Sequence, residues 1–263
     1  MREASVGFQC PDCVKQGGKS VRPVKAAYGG RARAVPYVTY TLIAINVVML
    51  IATTSGSGII SGDISNAVFR KLALIPTNTV LPDGNGGGVL EHGVSDGSYY
   101  RLLTSMFLHF GIIHLALNMY GLYLLGPALE QAFGQVRFAA TYLLAGLAGA
   151  ALSYLLGPQH EVAAGASGAV FGLFGAFYVL GRHRNFDVSP ITTTILLNLV
   201  LSFSLSGIDW RGHVGGLVAG AALSWVIVYA PANKHRSLYQ LAGIVAVAVV
   251  VVGMVAVRTS QLS

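Results

Sequence analysis

Charged residues are scarce in this sequence. Asp, Glu, Lys and Arg make up only 10% of the 263 residues, whereas soluble domains carry about 25%. Acids are the scarcer sign, with ten Asp and Glu against seventeen Lys and Arg, and 54% of the residues are hydrophobic. Together with a mean hydropathy of +0.63, this composition excludes an ordinary soluble domain. It predicts an all-α polytopic membrane protein.

Cysteine is also scarce. The only two, Cys10 and Cys13, form the motif Cys10-Pro-Asp-Cys13. One such pair is half of a structural zinc site, which takes four ligands, and residues 1–36 offer no evident third or fourth ligand. Two interpretations stay open: reduced thiols on an N-terminal tail, or a partial zinc ribbon completed by residues upstream of Met1 or by a partner. We expect no metal or cofactor elsewhere.

Seven apolar runs are candidates for membrane spans, at roughly 20 residues per crossing. The first begins after 36 mostly polar residues, which is wrong for a cleaved signal peptide and favours a retained span. We expect an N-terminal tail over 1–36, a six-span domain over 37–230, and a seventh helix with a short tail over 231–263. The runs cover residues 37–54, 112–129, 137–156, 168–181, 190–206, 213–230 and 239–257.

The basic residues predict the orientation. When the spans are threaded from a cytoplasmic N-terminus, twelve of the seventeen Lys and Arg fall inside, including Arg22, Lys25 and Arg31. This bias follows the positive-inside rule, and it puts the C-terminus outside the cytoplasm of a plasma-membrane protein. The net charge of +7 therefore needs no nucleic-acid partner. The expected partners are the bilayer and other membrane proteins.

The first outer loop, 55–111, is the longest connection. A loop of this length without obvious regular structure is either functional or disordered. The aromatic stretch before the second span favours a position in the membrane interface. We expect Arg101 to anchor this loop, and Glu130, at the end of the second span, to tie down the loop that follows it.

Glycines predict which helices pack together. Gly168 and Gly172 in the fourth span, and Gly212, Gly216 and Gly220 in the sixth, are spaced by four residues. Small residues at this spacing let two helix backbones approach closely in a membrane. We therefore expect spans four and six to pair. Span seven is a Val/Ala run without a polar face, typical of an appended anchor.

Ser167 begins the fourth span, and that run is short: fourteen residues rise about 21 Å, less than the roughly 30 Å hydrocarbon core. Ser167 should therefore lie below the membrane surface in a water-filled cavity. His213 begins the sixth span on the same side. A serine hydroxyl becomes a nucleophile when an imidazole accepts its proton, and a helix N-terminus favours developing negative charge. The alternative is that this Gly/Ser motif only packs helices.

Two more polar residues begin the second span. His114 and Asn118 are four residues apart and share one helical face, where both could stabilise an oxyanion. His109 should lie off that face and play a supporting part. Asp209 precedes His213 by four residues, but capping the helix or pairing with Arg211 explains it more simply, so we predict a Ser-His dyad.

Zinc could in principle bind His109, His114 and His213. Metalloprotease helices, however, carry two histidines four residues apart with a glutamate between them. The spacing here is five, without an acid. A zinc site would also leave Ser167 unexplained, so we do not favour it.

These residues, in this order, resemble the rhomboid family of intramembrane serine proteases over roughly residues 99–230. The motifs are Tyr100-Arg101, His109-x4-His114-x3-Asn118, Glu130-x3-Gly134, Gly165-Ala-Ser167-Gly168 and His213-x2-Gly216-x3-Gly220. The resemblance implies a six-helix core plus a C-terminal helix, a Ser167/His213 dyad and an oxyanion site at His114 and Asn118. It also implies cleavage of transmembrane segments near the outer face, at small residues and helix-breaking sequence. Phe171 stands where many bacterial members have a tyrosine that stacks on the histidine.

Two other classes of function fit the sequence less well than a protease. A catalytically inactive rhomboid-like binding protein typically lacks the serine or the histidine, whereas both are present here. A transporter or channel would predict acidic residues at mid-membrane and a repeat between the two halves. The sequence has neither feature, so a protease remains the favoured interpretation.

Overall fold

The computed structural model describes residues 2–3, 8–20, 26–30, 33–54 and 58–262, and these fold mainly into α-helices. Of the predicted inner basic residues, Arg22, Lys25 and Arg31 lie outside the described residues. A short hairpin, β1 (Arg2–Glu3) and β2 (Phe8–Gln9), precedes the N-terminal helix. The helices of the first half are α1 (Pro11–Ser20), α2 (Tyr37–Thr53), α3 (Gly58–Ser61), α4 (Ala67–Leu72) and α5 (Arg101–Thr104).

Six further helices complete the described part of the chain. Their bounds are α6 (Gly111–Phe133), α7 (Gln135–Leu156), α8 (Ser167–His183), α9 (Ser189–Ser204), α10 (Trp210–Tyr229) and α11 (Arg236–Leu262). Among the described residues, α6, α7, α10 and α11 are long and apolar enough to cross a membrane, and α2 and α9 are shorter apolar helices. With α8, these helices follow the seven predicted runs in order. The all-α polytopic prediction is confirmed.

The closest helix packing joins α8 and α10, as the glycine spacing predicts. A Cβ on Gly216 would overlap the carbonyl oxygen of Gly168, and one on Gly220 would overlap that of Gly172. Helix α7 joins this contact, because a Cβ on Gly149 would lie 2.6 Å from the carbonyl oxygen of Gly212. The backbones therefore meet directly. This approach brings the N-termini of α8 and α10 together.

The first outer loop is more regular than the sequence indicates. Besides α3, α4 and α5 it contains a hairpin of β3 (Thr79–Pro82) and β4 (Gly88–Glu91) and two 3₁₀ turns, Val94–Asp96 and Ser105–Phe107. The loop therefore contains regular structure that is not obvious from the sequence. The elements are four residues or fewer, apart from α4, and such short pieces leave little periodic signal in a sequence.

Buried charges hold this loop together. Arg101, only 1% exposed, donates to the carbonyls of Arg70 and Ala73 and pairs with Glu91 at 3.1 Å. Arg70 pairs with the other oxygen of the same carboxylate at 3.4 Å. Arg101 thus links α5 to both α4 and β4, and it fixes the segment that leads into α6.

Glu130 contacts a different element from the one expected. Its carboxylate accepts hydrogen bonds from the backbone N–H groups of Val38 and Thr39 and from the Thr39 hydroxyl, at 2.8–3.0 Å. It therefore caps the N-terminus of α2, where free N–H groups favour negative charge. The prediction that it ties down the loop after α6 is wrong, because its carboxylate bonds to α2 instead. The bonded residues lie more than ninety positions apart in the sequence.

Helix α11 is more than an appended anchor. Near its start, buried Gln240 donates to the carbonyls of Tyr28 and Ile227 and accepts from Arg137. Near its end, Arg258 donates to the Gly157 carbonyl. The middle of the helix is as apolar as predicted, but its two ends make polar contacts with the rest of the protein.

Candidate active site

A cavity of about 1110 Å³ lies between α6, α8, α9 and α10. Its lining includes Ser167, His213, His114 and Asn118, so the residues singled out from three separate segments of the sequence meet in one place. The cavity also reaches the outer surface of the bundle between α6 and α9, through exposed apolar side chains. These are Leu117, Tyr120, Leu124, Leu201 and Leu205.

Ser167 is the first residue of α8 and is half-buried. The turn before it depends on Gly165, whose φ of +146° is a conformation that residues with a Cβ rarely adopt. A Cβ on Gly165 would lie 3.0 Å from Nε2 of His114 and 3.5 Å from Oγ of Ser167. The hydroxyl and the imidazole therefore face the same small space, which a larger residue would fill.

His213 lies in the first turn of α10 and is 8% exposed. Its ring stacks on Phe171 with centroids 4.1 Å apart and planes within 10°. Phe171 is one helical turn after Ser167, so this stacking places the imidazole over the face of α8 that carries Ser167. Phe171 thus makes the stacking contact with the histidine that the resemblance implied for this position.

Asp209 is the N-cap of α10. Its carboxylate accepts from the backbone N–H groups of Arg211 and Gly212, both at 3.2 Å. This is the capping role expected for it. The imidazole of His213 is hydrogen-bonded to a different residue, because Oγ of Ser202 lies 2.7 Å from its Nδ1.

His114 and Asn118 both lie on α6, and each makes a hydrogen bond to the backbone of the preceding turn. Nδ1 of His114 accepts from the backbone N–H of Phe110 at 3.3 Å, which leaves Nε2 as the nitrogen that carries the proton. The Asn118 amide donates one N–H to the His114 carbonyl at 2.9 Å. Its second N–H remains for a ligand in the cavity.

His109 is fully buried behind this pair. Its ring centroid lies 5.1 Å from that of His114, and it is absent from the cavity lining. Burial, and then the neighbouring His114, lower the pKa of His109 to about 3. In this position the His109 ring packs against the His114 ring, on the side away from the cavity lining.

Polar residues also line the mouth of the cavity. Arg211 lies 3.4 Å from Glu161 and 4.0 Å from Asp209. Burial raises the pKa of Glu161, the positive charge of Arg211 opposes that shift, and the negative charge of Asp209 adds to it. This small charged group links the loop before α8 to the start of α10.

The N-terminal cysteines are not among the residues that line the cavity. Both thiols are exposed and unpaired by a disulfide. Backbone N–H groups of Cys13 and then Asp12 lower the pKa of the Cys10 thiol. Within the described ranges, no cluster of three or more His, Cys, Asp or Glu side chains could hold a metal.

Sequence reasoning missed Ser202. A signal for it exists, since Thr194, Asn198 and Ser202 recur every four residues along α9, and all three line the cavity. That spacing puts them on one face of α9. Polar residues on one face of a membrane helix usually face the protein interior or a water-filled cavity.

This chain is similar to proteins of one family. A family model described as the rhomboid domain matches residues 96–230. Rhomboid protease GluP of Bacillus subtilis is 42% identical over 132 residues, which cover 48% of this chain and 26% of that protein. Putative rhomboid protease YdcA of the same organism is 36% identical over 148 residues, covering 54% of this chain and 74% of YdcA.

A plant relative has similar identity. RHOMBOID-like protein 5 of Arabidopsis thaliana is 37% identical over 153 residues, covering 55% of this chain and 49% of that protein. The chain thus spans about a quarter of GluP and about half of the Arabidopsis relative. Because the rhomboid domain covers half of the chain, and most of YdcA aligns with it, this multi-pass membrane protein belongs to the rhomboid family.

Proposed function

We propose that this protein is an intramembrane serine endopeptidase, which hydrolyses peptide bonds in or near the transmembrane segments of other membrane proteins. The observation that carries the proposal is the cavity in which Ser167, His213, His114 and Asn118 meet. The cavity begins at the N-terminus of α8, in a chain that is similar to proteins named rhomboid proteases.

In the proposed reaction, Ser167 and His213 act as a dyad. Nε2 of His213 takes the hydroxyl proton as Ser167 Oγ attacks the carbonyl carbon of the substrate peptide bond. The tetrahedral intermediate then collapses, the C–N bond breaks, and the protonated imidazole gives its proton to the leaving amine. A water molecule attacks the resulting ester by the same steps and regenerates the serine.

The negative charge of the tetrahedral intermediate needs donors that are already in place. The proposed donors are Nε2–H of His114, the free N–H of the Asn118 amide and the backbone N–H of Ser167. The hydrogen bond from Phe110 to Nδ1 of His114 supports this role, because it leaves the proton on the nitrogen beside Gly165. The positive end of the α8 dipole adds to the stabilisation.

A third catalytic acid is not part of the proposal. The Asp209 carboxylate is engaged by two backbone N–H groups at the start of α10. A carboxylate with these partners holds the helix and is not free to orient the imidazole. Asp209→Asn keeps an acceptor for the cap, and we expect this variant to remain active.

We propose that the substrate enters the cavity between α6 and α9. Its opening between α6 and α9 is lined by exposed apolar side chains, which suit a segment that arrives from the lipid. We propose that this end of the bundle faces away from the cytoplasm in the plasma membrane. The N-terminus would then be cytoplasmic and the end of α11 extracytoplasmic.

The test is cleavage of a model single-span substrate by purified protein in liposomes. Ser167→Ala should abolish cleavage while its thermal unfolding midpoint stays that of the parent protein. Ser204→Ala, which changes an exposed serine of α9, is the matched control and should cleave normally. Cleavage by Ser167→Ala at the parent rate would overturn the proposed mechanism.

A further inference from the structure

Ser202 is the point at which α9 meets the proposed catalytic base. Of the sixteen residues of α9, Ile191 and Ser202 are buried, and Ser202 is only 3% exposed. Its hydroxyl oxygen lies 2.7 Å from Nδ1 of His213 and 2.5 Å from the carbonyl oxygen of Asn198. A helix that is otherwise largely exposed thus places one hydroxyl against the imidazole.

The direction of these two hydrogen bonds follows from what each group can do. The Asn198 carbonyl can only accept, so the Ser202 hydroxyl must donate its single proton there. Towards His213, the same oxygen can then only accept. A neutral imidazole carries one N–H, and the Ser202 contact assigns that proton to Nδ1. Nε2 is left without a proton.

We propose that Ser202 is a positioning residue, which holds His213 in the tautomer whose bare Nε2 can accept the proton of Ser167. This inference rests on the proposed protease function and extends it. In Ser-His-Asp enzymes a carboxylate accepts the Nδ1–H and fixes the tautomer. Here a neutral hydroxyl, itself held by the Asn198 carbonyl, does the same without burying a charge in a membrane domain.

Kinetics of matched variants test this role. Ser202→Ala should lower kcat by about 10- to 100-fold, the range seen when a group that orients a histidine is removed, with little change in KM. Ser202→Thr retains the hydroxyl and should restore at least half of the parent kcat. Thr192→Ala removes a hydroxyl that makes the same backbone contact on α9 but does not line the cavity, and it should leave kcat unchanged.

A spectroscopic measurement separates positioning from a structural effect. In protein labelled with ¹⁵N-histidine, the His213 signals, assigned with His213→Gln, should report a proton on Nδ1. In Ser202→Ala they should report a mixture of tautomers. An unchanged tautomer together with an unchanged kcat in Ser202→Ala would overturn the inference, even if Ser167→Ala is inactive. Cleavage by Ser167→Ala would instead overturn the protease mechanism itself.

A separate observation concerns the opposite end of the bundle. Three guanidinium groups converge on the segment 26–30. Those of Arg184 and Arg236 lie 5.5 Å and 5.4 Å from the centre of the Tyr28 ring, and that of Arg137 lies beside Gly29 and Gly30. We call Arg137, Arg184 and Arg236 the arginine cluster. It joins the ends of α7, α8 and α11.

The arginine cluster has no carboxylate partner among the described residues, whose ion pairs all involve other bases. Nε of Arg236 is also buried without a hydrogen-bond partner there. Two of these positive charges lie within 5.5 Å of the centre of one ring, and the third lies beside the next two residues, so the charges repel one another. An anion between them would remove that repulsion.

We infer that the arginine cluster binds the phosphate of an anionic phospholipid. Guanidinium groups match phosphate oxygens in two-point hydrogen bonds, and basic pockets between helix ends bind such headgroups. The cluster lies where three apolar helices begin or end, which is the depth of lipid headgroups. The ligand is therefore a lipid rather than a soluble phosphate.

Native mass spectrometry of protein exchanged into mixed micelles tests this inference. With phosphatidylglycerol and phosphatidylcholine at equal concentration, the parent protein should retain phosphatidylglycerol, and Arg184→Gln/Arg236→Gln should lose at least ten-fold in its retention. Arg33→Gln is the control, because Arg33 also lies over a tyrosine, Tyr37, but alone. Equal retention of both lipids by the parent, or an unchanged double variant, would overturn the inference. Displacement of the lipid by 5 mM inorganic phosphate would assign the site to a soluble anion and overturn the lipid as its ligand.

Discussion

The α-carbon of Gly216 packs directly against the carbonyl group of Gly168, and no side chain separates α10 from α8 at this point. Gly216 lies about one helical turn after His213 on α10, and Gly168 directly follows Ser167 on α8. The distance between the proposed base and nucleophile is thus set by backbone contact, which is stiffer than contact between side chains.

Gly216→Ala should therefore destabilise the protein and lower its activity. The added methyl group overlaps the Gly168 carbonyl and forces the helices apart, at a cost of about 1–3 kcal/mol for overpacking. Gly253→Ala, on an open face of α11 where a Cβ meets nothing within 4 Å, should leave stability unchanged. Thermal unfolding in detergent, with the cleavage rate measured in parallel, compares the two. Equal midpoints would contradict the packing account.

Asn118→Ala should slow the chemical step. Removing one donor from an oxyanion site costs about 100- to 1000-fold in kcat, and KM should change little because the interaction forms in the transition state. Ile113→Ala removes an exposed side chain of the same helix and is the control. If Asn118→Ala retains the parent kcat, Asn118 is not an oxyanion donor.

Arg101→Gln should unfold the loop between α2 and α6. The change leaves Glu91 with only Arg70, and it also removes the donors to two backbone carbonyls. Breaking a buried pair in this way costs about 3–5 kcal/mol. Limited proteolysis should then cut within residues 58–110, whereas Lys71→Gln, an exposed change in the same loop, should not expose new sites. Protease resistance equal to that of the parent would contradict the anchoring role of Arg101.

His109 should make stability depend on pH. The unfolded chain binds a proton on this residue near the ordinary value of 6.5, whereas burial lowers the pKa of the folded protein's His109 to about 3. Because the unfolded state binds the proton more readily, the contribution of His109 is complete above pH 6.5 and is lost as the pH falls towards 3. Unfolding measured at pH 7, 5.5 and 4 should show a smaller loss for His109→Gln than for the parent protein. The same loss in both proteins, with exposed His235→Gln as the control, would contradict this assignment.

The sequence predicted the features that depend on residue type and regular spacing. The seven apolar runs, the glycines of α8 and α10, and the pairing of these helices follow from length and periodicity alone. The sequence also indicated four polar residues that line the cavity, because a polar residue at the start of an apolar run stands out. They are Ser167, His213, His114 and Asn118.

The contacts that depend on distant partners could not be predicted. Nothing near Glu130 in the sequence indicates that it caps α2, and Gln240 and Tyr28 meet only once the bundle has formed, across the expected boundary at residue 36. Ser202 was missed because a serine that bonds its own helix backbone is ordinary in a membrane span. Its burial and its proximity to His213 distinguish it from Thr192 and Thr194, and both depend on the folded structure.

The central claim is that Ser167 is a nucleophile activated by His213. The most direct measurement is reaction of the liposome-reconstituted protein with a fluorophosphonate, followed by peptide mass spectrometry of the modified residue. The account predicts a single phosphonylated site at Ser167 in the parent protein and none in His213→Ala. Modification of a different serine, or equal labelling of Ser167 in His213→Ala, would contradict it.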